Sequence, residues 1–234
     1  MSKRDYSKLT VLIPTLTEEE NIGRMLNYLV KNYPKINVIV SDDDSKDNTL
    51  KVVNQIRAKN KRVGFLLRKN VQKGLVASMV DALNMVMTEY FLVIDCDFQH
   101  PPEKIAEFYR LLENKYDLVL GNRTQLSGDW PVYRKIVSLG AKTLCRIRLL
   151  PRVMFNYDVS TGFFAGRTSV VNSIINKNLH RFDLAGFATC FNILKCAPRD
   201  LKIAKVDYTF SVRTAGESKL GKTQVLSLIK SLIK

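Results

Sequence analysis

Over its first 125 residues the chain alternates short apolar runs with amphipathic stretches of helical length, and this alternation leaves few folds open. Residues 9–13 form a buried-strand run stopped by Pro14. Thr17 with Glu20 three residues on predicts a capping box, opening a helix whose apolar face is Ile22, Met25, Leu26, Leu29 and Val30. A second strand over residues 36–40 runs into Ser41-Asp42-Asp43-Asp44-Ser45, and a helix follows with Val52, Val53 and Ile56 inward. A strand at 63–67, an apolar helix at 74–87, a strand at 90–94, a helix from about 103 to 114 and a strand at Leu118-Val119-Leu120 continue the pattern. Strands separated by helices of this length predict an α/β fold built on a mostly parallel, doubly wound sheet. At 234 residues with 46% apolar side chains, the chain is long enough for one sizeable core and one main domain.

The second half changes character. From Gly121 to Arg152 there are seven basic residues and one acidic one. Residues 131–150 can be drawn as a helix with Ile136, Leu139, Leu144 and Ile147 on one side, flanked by Lys135, Lys142 and Arg146. Near the end, Val225, Leu228, Ile229, Leu232 and Ile233 fall on one helical face, with Lys222, Lys230 and Lys234 off it. Two readings stay open for such helices: interfacial contact with an anionic membrane, or packing on the domain core with a solvated basic face. The whole chain carries a formal charge of +15, which implies an anionic partner. Cys96, Cys145, Cys190 and Cys196 show no paired spacing and are expected to be reduced structural thiols of a cytoplasmic protein. No apolar run approaches the roughly 20 residues of a membrane span, and no signal-peptide pattern opens the chain.

The chemistry concentrates at strand ends. Asp95 and Asp97 follow an apolar strand and precede a Pro-Pro helix start, the place where open α/β sheets bind ligands. Residues two apart in a strand point the same way, so the two carboxylates are expected to converge, with Gln99 supplying a third oxygen. Such a set suits a hard cation, Mg²⁺ or Mn²⁺, and through it a diphosphate. At Asp42-Asp43-Asp44 a helix cap accounts for some of the charge, and a nucleotide's base and ribose would employ at least one carboxylate. Arg123, Arg134, Arg213 and Lys219 lie beside glycines or Trp130-Pro131 and are the candidate phosphate binders. His100 and His180 are the only histidines, which speaks against a histidine metal site or a Ser-His-Asp triad.

Taken in order, Leu12-Ile13-Pro14-Thr15, Asp42-Asp43-Asp44-Ser45, Asp95-Cys96-Asp97-Phe98-Gln99-His100-Pro101-Pro102-Glu103, Trp130-Pro131-Val132-Tyr133-Arg134-Lys135, Gly162-Phe163-Phe164-Ala165 and Arg213-Thr214-Ala215-Gly216-Glu217-Ser218-Lys219-Leu220 resemble the dolichyl-phosphate (polyprenyl-phosphate) mannose synthases of glycosyltransferase family 2. The resemblance implies a GT-A nucleotide-sugar-binding domain over residues 1–221, followed by a basic amphipathic helix over 222–234. It implies inverting, metal-dependent transfer of mannose from GDP-mannose to a polyprenyl (dolichyl) phosphate, on the cytoplasmic face of a membrane. Pro14, Thr15, Glu18 and Asp43 would then hold the nucleoside, and Asp95, Asp97 and Gln99 the metal. Arg123, Arg134 and Ser138 would meet the acceptor phosphate, with Asp97, Arg134 and Arg123 forming the catalytic set. Arg213 and Lys219 would meet the donor diphosphate or close over it.

The sequence departs from that pattern at Leu16-Thr17, at Val159, and at Ala188 and Asn192, where relatives carry a Lys and a Glu near the sugar. These differences leave UDP-glucose open as donor and a soluble acceptor open as an alternative. The partners expected are a nucleotide sugar, a polyprenyl phosphate, an anionic membrane surface and a small membrane subunit. A nucleic-acid-binding domain is the non-enzymatic alternative, disfavoured by the acidic ligand set and by the lack of a basic recognition helix.

Overall fold

A computed structural model describes residues 4–126, 140, 143–145, 147–150, 157–211 and 231–232. Seven strands among these residues form one sheet: β1 (Leu9–Thr15), β2 (Asn37–Asp42), β3 (Val63–Leu67), β4 (Tyr90–Val93), β5 (Leu118–Leu126), β6 (Phe164–Arg167) and β7 (Ile203–Phe210). Their order is β3-β2-β1-β4-β6-β5-β7. Every pairing is parallel except those of β6, which runs antiparallel to both β4 and β5. The helices are α1 (Glu19–Asn32), α2 (Thr49–Lys59), α3 (Leu75–Asn84), α4 (Ile105–Glu113), α5 (Thr168–Asn178) and α6 (Thr189–Cys196).

The central strands bury both faces, as a doubly wound sheet requires. In β1, Leu9, Val11 and Ile13 join one core cluster with Ile22, Met25, Leu26 and Leu29 of α1 and Phe108 and Leu112 of α4. Leu12 points the other way, into a second cluster with Val76, Met79 and Val80 of α3, Ile174 of α5 and Phe191 of α6. Each fully buried side chain of the α1 face stabilises the fold by about 1.5–3 kcal/mol. The strand order reverses between β1 and β4, because β1 leads outward to β2 and β3 while β4 lies on its other side. The crevice at their C-terminal ends is therefore the topological switch point.

Three local expectations are corrected. Pro14 does not end β1; it pairs in register with Ser41, and the strand continues to Thr15. The β1–β4 ladder ends at Leu12 and Val93, with Ile94 N donating to Leu12 O, so the missing N–H of Pro14 costs no rung. The capping box is absent: Glu18 is the N-cap of α1 and makes no side-chain cap bond. Thr17 adopts φ +56°, and the donors there go to the β2–α2 loop, Thr17 N to Ser45 Oγ and Glu19 N to Asp47 Oδ2. Finally, β4 ends at Val93, so Asp95 and Asp97 stand in a loop rather than on a strand.

Of the helix expected over residues 131–150, positions 143–145 and 147–149 are helical. Cys145 and Leu149 form its buried face, whereas Leu144, Ile147 and Leu150 are exposed. Two members of the expected apolar stripe thus point away from the core. Of the C-terminal segment, Ser231 and Leu232 are described. Lys195, fully buried in α6, donates to the carbonyls of Arg181 and Ser231 and to Asn192 Oδ1, while Leu232 packs on the second core cluster. The four cysteines are free thiols, as expected. No helix among the described residues is long and apolar enough to cross a membrane.

Candidate active site at the switch point

The tips of β1 and β2 are tied together by buried polar groups. Asp42, fully buried, accepts from Thr15 Oγ1 at 2.7 Å, Ser45 N at 2.7 Å and Ser45 Oγ at 2.6 Å. The Thr15 hydroxyl is thereby committed to the loop. Glu18 accepts from Asn21 Nδ2 at 2.9 Å. Asp44 pairs with Lys46 at 2.7 Å on the surface, which holds its carboxyl below the usual range, and serves no buried contact.

Asp43 is different. Its carboxylate pairs with the buried guanidinium of Arg68 and accepts from Gly74 N at 2.9 Å. Arg68 also donates from Nε to Asp81 at 2.8 Å and from Nη2 to Gln72 O at 2.6 Å. Gly74 holds φ +141° against the backbone of Leu184 and Ala185; a Cβ there would fall 2.4 Å from Leu184 O. Arg68 is absent from the sequence-derived site. Its signal was the need for a counter-charge beside three adjacent aspartates, met by the residue directly after β3.

Across the crevice, the loop after β4 reverses at Phe98, whose φ is +61°. Asp97 is buried and accepts from Gln99 N at 3.1 Å. Asp95 keeps its side chain 41% exposed, with Oδ2 3.4 Å from Nδ1 of His100. Gln99 is clamped to the end of β7: its Nε2 donates to Ser211 O, and Ser211 N donates to Gln99 O, both at 3.1 Å. That clamp fixes the amide nitrogen on β7 and leaves Oε1 as the end available to a cation. The thiol of Cys96, pushed far up by burial, also feels the charges of Glu18, Asp95 and Asp97, which places all three carboxylates around it.

Positive charge is brought by β5, and buried His100 feels both Arg123 and Asp97. Arg123 lies 3.7 Å from Asp158 Oδ2 and 5.1 Å over the Phe210 ring. Asp158 is buried and accepts from Ser160 Oγ at 3.0 Å. Together these contacts orient the guanidinium, and neither Asp158 nor the aromatic support was identified from sequence. Gly121, on the same strand, lets Phe163 approach: a Cβ would meet Phe163 O at 2.6 Å. His100 is buried against Phe163, and its pKa is driven down to about 4 by that burial, so it is neutral near pH 7.

Arg134, Ser138, Arg213 and Lys219 lie outside the described residues. Ser211, just after β7, is the last residue described before the run containing Arg213, and it is bonded to Gln99. Ala188 and Asn192, the departures expected near the sugar, are buried, Ala188 at the N-cap of α6 and Asn192 within it, with Asn192 Nδ2 donating to Ala188 O at 3.1 Å.

Two carboxylates and an amide oxygen are hard donors that fit Mg²⁺ or Mn²⁺. Among the described residues no group of three or more His, Cys, Asp and Glu is gathered for a metal, so such an ion would complete its shell with diphosphate and water.

The mixed α/β sheet, with acidic residues at its switch point, has the GT-A type of fold seen in solved glycosyltransferases. The model of glycosyl transferase family 2 matches residues 10–174, and the chain belongs to that family of glycosyltransferases. It is 33% identical over 222 residues to a dolichol-phosphate mannosyltransferase of Pyrococcus furiosus, covering 92% of this chain and 60% of that protein. The chain thus spans somewhat less than two thirds of that relative. A dolichol-phosphate mannosyltransferase of Saccharomyces cerevisiae is 27% identical over 236 residues, covering 95% of this chain and 85% of that protein. Among solved structures, glucosyl-3-phosphoglycerate synthase of Mycobacterium tuberculosis, with Mn²⁺, UDP and glucosyl-3-phosphoglycerate, superposes at a TM-score of 0.67. That match covers 97% of this chain and 77% of the synthase at 19% identity.

Proposed function

We propose that this chain transfers mannose, with inversion, from GDP-mannose to a polyprenyl (dolichyl) phosphate at the cytoplasmic face of a membrane. The observation that carries this reading is the acidic loop Asp95–Gln99 at the switch point, clamped to the end of β7, where Phe210 lies beneath Arg123. The naming of the relatives as dolichol-phosphate mannosyltransferases supports the substrate pair, and structural neighbours holding Mn²⁺ or Mg²⁺ support the cation. Residues 1–221 would form the catalytic domain and 222–234 a basic helix docked through Ser231 and Leu232.

Asp95, Asp97 and Gln99 would hold Mg²⁺ or Mn²⁺, which when bound offsets the charge of the leaving diphosphate. Asp43, fixed by Arg68 and Gly74, would receive the nucleoside together with Pro14, Thr15 and Glu18. Arg123, Arg134 and Ser138 would orient the acceptor phosphate so that an oxygen attacks the sugar's anomeric carbon. A phosphate monoester has a second pKa near ~6, so it arrives largely ionised and requires no strong base. The buried, neutral His100 is consistent with that. Arg213 and Lys219 would meet the donor diphosphate.

The donor is tested by titrating the chain with GDP and UDP in the presence of Mn²⁺. GDP binding at least tenfold tighter than UDP is the expected result; the reverse order moves the donor to a uridine sugar.

The exposed stripe of Leu144, Ile147 and Leu150, beside Arg148, is the element that would rest on the anionic membrane surface. Leu144→Asn with Ile147→Asn should lower binding to phosphatidylserine-containing vesicles by about tenfold or more, since each leucine-sized side chain contributes roughly 1.5–3 kcal/mol when fully buried. Sedimentation with vesicles measures it. Unchanged binding would shift the anchor to the C-terminal segment or to a small membrane subunit.

A further inference from the structure

His100 has a chemical feature that the proposed transfer does not use. Its imidazole stacks on Phe163 with ring centres 5.1 Å apart and a 25° tilt, and is bordered edge-on by Tyr208 at 5.8 Å and Phe210 at 5.4 Å. The ring is 4% exposed, and three aromatic neighbours fix its plane. Within this apolar cage Nδ1 has no hydrogen-bond partner. A buried polar nitrogen left in that state costs stability, and a native fold keeps one where it has a use. The atom it faces is Oδ2 of Asp95, 3.4 Å away, just beyond a normal hydrogen bond. Gly162 leaves the space beside both groups open: a Cβ there would lie 3.6 Å from His100 Cε1 and 3.8 Å from Asp95 Oδ2.

We propose that His100 is a positioning residue for Asp95: its Nδ1–H closes onto Oδ2 and turns the other carboxylate oxygen toward a bound divalent cation. This rests on Asp95 being a cation ligand. Asp95 is half exposed where Asp97 is buried, and the His100 donor approaches it from the buried side. Carboxylate ligands held by an outer hydrogen bond bind metal more tightly than free ones. The aromatic cage supplies rigidity, because the imidazole cannot swing away without breaking its stack on Phe163.

Two amide substitutions separate the donor from the bulk of the ring. Asn places its amide nitrogen where Nδ1 stands; Gln places it where Nε2 stands. Mn²⁺ binding to the full chain with GDP present, followed by electron paramagnetic resonance of the free ion, is the readout, with thermal melting recorded alongside. His100→Gln should bind Mn²⁺ at least tenfold more weakly than wild type, and His100→Asn should remain within about threefold, following the effect of lost outer-shell partners. A merely structural role would weaken both variants alike and in step with their melting temperatures. Equal, wild-type-like affinity in both, or equal loss in both, overturns the assignment of His100. Wild-type chain that takes up no Mn²⁺ overturns the cation reading of Asp95 and this inference with it.

Discussion

Replacing Asp97 by alanine is expected to lower sugar transfer by about three orders of magnitude, with the fold retained. Offsetting the charge of a leaving diphosphate through a bound cation is worth several kcal/mol, and each ~1.4 kcal/mol is tenfold in rate. Asp97 is the buried member of the acidic pair, and by accepting from Gln99 N it orders the same loop. Asp95→Ala should act in the same direction, with a smaller effect on loop order because that side chain is half exposed. Initial rates with Mn²⁺, compared with melting temperature, check both. Full activity in either variant would remove that carboxylate from the cation site.

The second large effect is on stability. Arg68→Met should destabilise the fold by about 3–5 kcal/mol, the usual cost of leaving a buried charge without its partner. Arg68 is the hub of the β2–β3–α3 corner, reaching Asp43, Asp81 and the Gln72 carbonyl. Removing it leaves Asp43 buried with Gly74 N as its remaining donor in that network. For a domain of this size the loss corresponds to a fall of roughly 6–20 °C in Tm. Nucleotide affinity should fall as well, since Asp43 loses its fixed orientation. A double variant, Arg68→Met with Asp43→Asn, should recover part of the stability and none of the affinity, which differential scanning and calorimetry would separate.

The sheet's first half was readable because each strand there is a compact apolar run bounded by a breaker; β3 lies at residues 63–67 as expected. Pro14 misled because its ring normally ends a strand, and only the short β4 ladder makes it harmless. The β7 pattern of buried Ala204, Val206 and Tyr208 between outward Lys205 and Asp207 is a period-2 signal that was present in the sequence. Four-residue β6 carries too little sequence to show a period, and its antiparallel direction depends on neighbours distant in the chain. At the site, the acidic residues could be named from their place after apolar strands. Their supports could not: Arg68, Asp158, His100 and the Phe210 face are brought to them only by folding. Strand alternation cannot orient Asp95 and Asp97, because β4 ends at Val93 and the loop turns at Phe98.

Sugar transfer to a lipid phosphate tests the proposed function most directly. The full chain, in detergent with Mn²⁺ and a short polyprenyl phosphate, should move radiolabelled mannose from GDP-mannose into the organic phase, and EDTA should abolish the transfer. Donor consumption with no lipid-bound label, or lipid label from UDP-glucose alone, would contradict it.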